Sequence, residues 1–588
     1  MMKKTFHSRL CLFLIIFLLQ LHSFIKCEEA YFNDLRFTRS VNIKNTGIEY
    51  GEVDLDHRVI PVWEQEPYPG QGVRISILSD GIIFNHTEIA ENMNLTQSHN
   101  YMHGQDPEDL WPNINSRGVA SIVAGIIAMT ANNTDCSVGI AYNATIISRT
   151  IYNSSYVVDD TVLAKALYDE ESVDEDLVDI VFLDHDLDNC NDMLKCHFLP
   201  DRPIVHDAII EGTEMGRNGK GIFYITPIQG ARAGNTNKSP TNKWREICVV
   251  TPISHQGRKT LITEEGSNIM FSGVVLEITS GGIPTINRDA GYGFMCTHDC
   301  GVNTAAANVA GVAALVIQAN PDLTWRDVQH ILIETCYQNF NESSSWIKNG
   351  DNRWYSHKFG FGVPDAEKAV ERAKNYDSLL TEEIIYEKVD LIEEKSQQIN
   401  NTGLTRELIM TEHNITVFFV EVWVTVTHAY RGDLKITLTS PYNTPSYLTY
   451  PSFDYYDDLT DYTFSSWAYY GELCYGAWRL NIIDEDEYDV GDWESWGIRL
   501  YGINRANDTD PGPPPPTYTP SPTPLKPSAT DPPLDPTVNP SPSVTDGSPS
   551  PTPTKTPTKT SSPSFTVWGM KSTGWFIAIS LILLTIFI

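Results

Sequence analysis

The densest run of residues able to hold a metal or move a proton is Asp184-His185-Asp186-Leu187-Asp188, just ahead of Cys190. Carboxylates around an imidazole suit a cation or a new catalytic group, but the same composition makes a solvated acidic turn, which is the expectation here. Peptide hydrolysis by serine chemistry needs a hydroxyl nucleophile, an imidazole to take its proton and a carboxylate to orient that imidazole. It also needs donors aimed at the developing oxyanion. Two segments set polar residues against apolar runs: VRISILSDGIIFNH, Val73–His86, and DCGVNTAAANVAGVAAL, Asp299–Leu315. The chemical residues within them do not make a triad. Ser79 precedes Asp80 and Gly81, and His86, His103 and His298 are scattered nearby. A lone histidine is more often a packing or surface residue. No Cys-x-x-Cys pair occurs, which argues against a zinc site.

These residues need a scaffold. Residues 50–375 alternate short apolar runs with helical stretches: VRISIL, then GVASIVAGIIAMTANN, then DIVFL, then NVAGVAALVIQ. Buried strands alternating with helices predict an α/β domain, a parallel sheet with flanking helices. Residues 380–505 read differently. ITVFFVEVWVTVTH, LKITLTSP, WRLNII and WGIRLYG are strand-like and separated by turns, which predicts an all-β sandwich.

Further blocks fall in order along the chain: GIAYNA at Gly139–Ala144, LTWRDVQHIL at Leu323–Leu332, SHKFGFGVPDA at Ser356–Ala366 and RGDLKITLTSP at Arg431–Pro441. With the two segments above they resemble the kexin/furin branch of the subtilisin-like serine proteases, proprotein convertases whose catalytic domain is followed by a β-sandwich P domain. Together with the C-terminal features below, the chain resembles the fungal surface kexin-like group. The resemblance implies where the chemistry should be. Ser79 matches the triad aspartate, Val119 in VASIVAG matches the histidine, Asn303 matches the nucleophile, and Gln229 in PIQG matches the oxyanion asparagine. Sliding the histidine segment puts Arg117 there instead. Asp80 would stand in for the aspartate only if its strand slipped by one residue, which turns a buried strand inside out. Asp184–Leu187 matches the substrate-pairing strand, and the acidic pocket for basic side chains falls near Asn189 and Lys238. Calcium is the implied cofactor, with Glu88 and Asn133 as ligands of a type calcium accepts. A disulfide between Cys136 and Cys296 is implied, and Arg431-Gly432-Asp433 matches a strand start of the P domain rather than an adhesive tripeptide.

Composition bounds the rest. A chain of 588 residues with 41% hydrophobic content accommodates two or three domains, and a net charge of −33 argues against nucleic-acid partners. Residues 1–27 read as a secretory signal, with Lys3, Lys4 and Arg9 before Leu10–Leu21. Asn-x-Ser/Thr sites at Asn85, Asn94, Asn132, Asn143, Asn153, Asn237, Asn341, Asn400, Asn414 and Asn507 suit a glycosylated surface. Of ten cysteines, Cys136, Cys190, Cys196, Cys248, Cys296, Cys300, Cys336 and Cys474 lie beyond the signal; an even count in an exported chain reads first as disulfides. Residues 28–49 are a short N-terminal remnant in which Arg36–Ser40, RFTR-Ser, resembles a processing site. The prodomain the resemblance implies is lost, or the sequence is truncated. Residues 506–565 are a Pro/Thr/Ser-rich stalk, and 566–588 end in an apolar run that reads as a GPI-anchor signal, with a single-pass helix as its rival.

Three functions follow. The first is a cell-surface kexin-like homologue without endopeptidase activity, serving as a glycosylated display, adhesion or binding protein for protein or host-surface ligands. The second is an active serine endopeptidase of the kexin family cleaving after basic residues in proprotein processing. The third is a pseudoenzyme that binds active relatives or their substrates.

Overall fold

The computed structural model describes residues 32–504, apart from 113–117, 154–155, 169–177, 185–197, 231–233, 289–293, 300, 380–382, 392–396, 412–414 and 487. Arg117, His185, Asp186, Leu187, Asp188 and Asn189, together with both chain ends, lie outside the described residues.

A seven-stranded sheet organises the first part of the chain. Its strands are β1 (Arg74–Ser79), β2 (His99–Asn100), β3 (Thr145–Thr150), β4 (Ile180–Leu183), β5 (Phe223–Pro227), β6 (Ile247–Ser254) and β7 (Phe271–Val275), in the spatial order β2-β3-β1-β4-β5-β6-β7. Every pairing is parallel. Helices cover both faces of such a sheet, so β4, β5 and β6 are buried along their whole length, and their near-continuous apolar runs follow from that. A hairpin of β8 (Ile283–Arg288) and β9 (Phe294–Asp299) follows.

The helices that matter for the site are α1 (Val119–Ala128), α2 (Val302–Ala319) and α3 (Trp325–Thr335). The 18-residue α2 is apolar enough to cross a membrane, but it is a core helix with 89% of its length buried. Its alanines let it lie directly on the sheet: a Cβ on Gly273 of β7 would fall 2.0 Å from the carbonyl oxygen of Ala305. α3 begins with a capping box in which Thr324 and Asp327 satisfy each other's backbone donors.

The second part is all-β. One sheet has the order β10 (Glu383–Leu391), β18 (Gly491–Asn504), β13 (Ile415–Thr427), β16 (Leu459–Ser466), with β11 (Gln397–Ile399) also on β18. The other runs β12 (Leu404–Met410), β17 (Gly476–Asp484), β14 (Leu434–Thr439), β15 (Pro445–Thr449). Alternation along β17, WRLNII, sends Trp478, Leu480 and Ile482 inward beside the fully buried Trp493 and Trp496.

The two parts are joined by a dense polar seam. Ser465 N–H and the Asn237 side-chain oxygen meet at 2.9 Å, and the Asn237 amide donates to Ser267 Oγ at 2.8 Å. The Asn349 amide donates to Ala468 and Tyr470 carbonyls, and Gly350 N–H donates to Glu472 at 2.7 Å. His357 Nε2 accepts from Tyr447 N–H at 3.0 Å, and its burial pushes the imidazole down to about 4. Asn237, one of the Asn-x-Ser/Thr sites, is fully buried in this seam and cannot carry a glycan in the folded chain.

Candidate active site

Parallel α/β sheets gather ligand-binding groups at the carboxyl ends of their strands. Ser79 is the last residue of β1, Asp184 follows β4, and Gln229 follows β5 by two residues. Val119 opens α1, and Asn303 lies in the first turn of α2. Val119, Gln229 and Asn303 line one groove of about 430 Å³, together with Ile122, Asn287, His298 and Asp299. Ser79 is fully buried beneath it.

Asp184 connects these positions. Its carboxylate accepts from Ser79 Oγ at 2.5 Å and from the Asn303 amide at 3.0 Å, and it also accepts the Tyr152 hydroxyl. The link depends on β1 and β4 being neighbours, with Leu78 beside Leu183 and Asp184 N–H on the Leu78 carbonyl. Sequence reasoning placed Asp184 in a solvated turn. It is instead 1% exposed and is the polar hub beneath the groove, a role set by strand order that no local pattern reports. Tyr152 was likewise missed.

Asp80 has a different task. Gly118 takes a left-handed conformation at the start of α1 with no side-chain cap of its own, so the first-turn N–H groups need an outside acceptor. Asp80 supplies it, accepting from Gly118 N–H at 2.7 Å, Val119 N–H at 3.1 Å and Ala120 N–H at 3.0 Å. A negative charge at a helix N-terminus is favourable, and both oxygens are committed to it. Ser79 pairs in register with Thr150, so the strand has not slipped to present Asp80 as a triad carboxylate.

Among the described residues the groove holds one imidazole. His298 is exposed on the rim, its pKa lowered by partial burial and by Arg36 and Arg39. It makes no hydrogen bond or ion pair to a hydroxyl or carboxylate among the described residues. His86 is buried elsewhere, accepting from Glu88 N–H at 3.1 Å.

Chain comparisons place this arrangement. Residues 70–183 and 230–362 match the model of the Subtilase family, and residues 417–500 match that of the Proprotein convertase P-domain. Furin-like protease 1 of Drosophila melanogaster is 29% identical over 78% of this chain, which spans 41% of that protein's length. Neuroendocrine convertase 2 of Homo sapiens is 29% identical over 81% of this chain, and 75% of it is covered. The solved serine protease of Aeromonas sobria superposes with a TM-score of 0.67 at 20% identity, covering 80% of this chain and 96% of that one, which supports the fold alone. The chain belongs to the kexin/furin-type subtilase family.

For a kexin/furin-type chain, several expectations need correction. Lys238 is not in a specificity pocket: it lies at the seam, its ammonium 2.7 Å from Ser452 Oγ and over the Phe198 ring, with burial pushing it down to about 8. Arg36–Ser40 does not offer the extended, exposed chain that a protease cleaves. Phe37–Arg39 is a 3₁₀ turn, Phe37 belongs to the core, and Ser40, 2% exposed, hydrogen-bonds Ser137 at 2.6 Å. Not all the cysteines are bridged. Cys136 is in a disulfide, whereas Cys248 and Cys336 are free thiols. The side chain of Cys296 lies outside the described residues, although its backbone in β9 faces Ile286, next to the Thr285 carbonyl that Cys136 Sγ touches. Arg431-Gly432-Asp433, by contrast, leads into β14 as expected of a strand start, with Arg431 largely buried against Asp454 and Gly432 buried.

Glu88 and Asn133 do come together. Glu88 is buried, one of its oxygens accepts Cys136 N–H at 3.1 Å, and the other has no hydrogen-bond partner. Asp34 lies close by, its carboxylate accepting the N–H groups of Asn132 and Asn133. Desolvation, reinforced by Asp135 and Asp34, pushes Glu88 up to about 7. The Asn133 amide oxygen accepts Asp135 N–H at 3.0 Å, and the orphaned Glu88 oxygen with that amide and a second acid close by fits a calcium ion. Among the described residues no three His, Cys, Asp or Glu side chains converge on one point, so amide and backbone oxygens would complete the shell.

Proposed function

We propose that this kexin/furin-type chain does not hydrolyse peptides and uses its fold as a binding and display scaffold at the cell surface. One observation carries the reading: the Asn303 amide at the nucleophile position is tied to Asp184, with aliphatic Val119 at the position of the base. An amide is no nucleophile, and losing one triad member already costs several powers of ten. Gln229 carries its amide on an arm one methylene longer than asparagine, which displaces the oxyanion donor.

Display rests on the apolar N-terminus, the Pro/Thr/Ser-rich stalk and the apolar C-terminal run, and we favour GPI attachment. Release by a GPI-specific phospholipase separates a lipid anchor from a protein span. Asn85, Asn132, Asn341 and Asn400 are exposed enough to carry glycans. Calcium at Glu88 and Asn133 is structural in this reading, and the partners are protein or host-surface ligands. A fluorophosphonate probe, which labels only an activated serine, tests the central claim. No labelling of the purified chain is expected, and labelling that disappears on mutation of one serine would overturn it.

A further inference from the structure

The segment Phe453–Asp458, FDYYDD, crosses the sandwich without regular secondary structure, and its inner side already does one piece of chemistry. Arg431 lies with its guanidinium 5.4 Å from the Tyr456 ring centre and 3.3 Å from the Asp454 carboxylate, an aromatic face and an acid sharing one cation. Asp454 is buried at 2% exposure, while the residues on either side of it are exposed. The outward set repeats the inner one. Phe453 is 61% exposed and Tyr455 68% exposed, Asp457 is exposed beside them, and none of the three has a hydrogen bond, ion pair or ring contact among the described residues.

We propose that Phe453, Tyr455 and Asp457 form a docking site for an arginine- or lysine-bearing peptide segment of another protein. Charge complementarity selects this occupant. The patch carries the Asp457 carboxylate, and the Arg431 cation beside it is committed to Asp454, so anionic lipid or nucleic acid finds no partner there. The three side chains are open to solvent, and no Asn-x-Ser/Thr site lies between Asn414 and Asn507. The site is separate from the groove and does not depend on whether the groove is catalytic.

The test uses the full chain and a fluorescein-labelled decapeptide containing four arginines, followed by anisotropy, with a citrulline-substituted peptide as control. The arginine peptide is expected to bind, and the Phe453→Ala/Tyr455→Ala pair, which leaves the charge unchanged, to weaken it about tenfold. Asp457→Lys is expected to weaken it as well, and unchanged melting temperatures show that these surface variants fold. Equal binding by the alanine pair would reduce the effect to general attraction by an acidic chain and overturn the site. So would equal binding of the citrulline peptide, or patch-dependent binding of phosphatidylserine vesicles or oligosaccharides in its place.

Discussion

The groove and the seam are both networks of buried polar groups, yet they are built on opposite plans. In the groove, Ser79, Tyr152 and Asn303 all donate to a single acceptor, Asp184, and Asp80 spends both oxygens on the start of α1. In the seam, donors and acceptors are paired across two domains: Asn237 with Ser465 and Ser267, Asn349 with Ala468 and Tyr470, His357 with Tyr447. Catalysis requires groups held in reserve for a substrate, whereas stability requires groups that satisfy one another. On that criterion the groove's polar groups are committed to one another as the seam's are, which is what the proposed loss of hydrolysis requires.

The largest effect should come from trying to reverse this. Ser79→Asp, Val119→His and Asn303→Ser together are expected to give no fluorophosphonate labelling. The carboxylate introduced in place of Ser79 would touch Asp184 where a 2.5 Å hydrogen bond now runs, and two carboxylates in contact cannot both ionise. The hydroxyl introduced in place of Asn303 would donate to Asp184 instead of the imidazole. Adding Asp184→Ser removes both faults, and labelling should rise by orders of magnitude over the triple variant. If the triple variant labels as well as the quadruple one, Asp184 is not the lock.

Single-site stability comes next. Asp184→Ala leaves Ser79, Tyr152 and Asn303 as buried donors without their acceptor, an expected loss of about 3 kcal/mol in urea unfolding. Asn237→Ala strands Ser465 N–H and takes a donor from Ser267, at about 2 kcal/mol. Losses under about 0.5 kcal/mol, as at an ordinary surface position, would mean water fills either gap.

Much of this molecule is legible from residue patterns, because patterns report period and burial. VRISIL, DIVFL and WRLNII are strands for the reasons their spacing gives, and the helix read from GVASIVAGIIAMTANN is α1, which ends at Ala128 rather than running to Asn133. The matched positions Val119, Gln229 and Asn303 do share one groove. What stayed hidden depends on which strand ends are neighbours. Asp184 reads as an acidic turn until β4 is seen beside β1, and Asn237 reads as a glycan site until the sandwich covers it. Lys238 was misplaced for the same reason: short turns follow β5, and their path over the surface is set by the second domain. The even cysteine count misled because a buried thiol such as Cys248 packs as a small apolar group and needs no bridge.

The smallest expected effect is the pH dependence of the seam itself. Glu472 sits at the seam, 1% exposed, with one oxygen held by Gly350 N–H and Thr444 and the other without a hydrogen-bond partner. Desolvation, with Asp351 adding to it, pushes the carboxyl from 4.5 up to about 7. The folded state then holds a proton that the unfolded chain releases near 4.5, so this group's stabilisation is complete below that pH and is lost as pH rises towards 7. His357, down at about 4, acts in the opposite sense. The unfolded chain takes up its proton below about 6.5, so stability falls as pH drops from there towards 4. In the parent chain the two slopes oppose each other between roughly pH 4.5 and 6.5. Glu472→Gln keeps an acceptor for Gly350 and removes one slope. The variant should gain roughly 1–2 kcal/mol over the parent at about pH 8, gain little at about pH 5, and show a steeper rise in stability with pH between the two histidine limits. Calorimetric melts across that range decide it, and parallel curves for variant and parent would show that Glu472 is already ionised in the folded chain and that water reaches the seam.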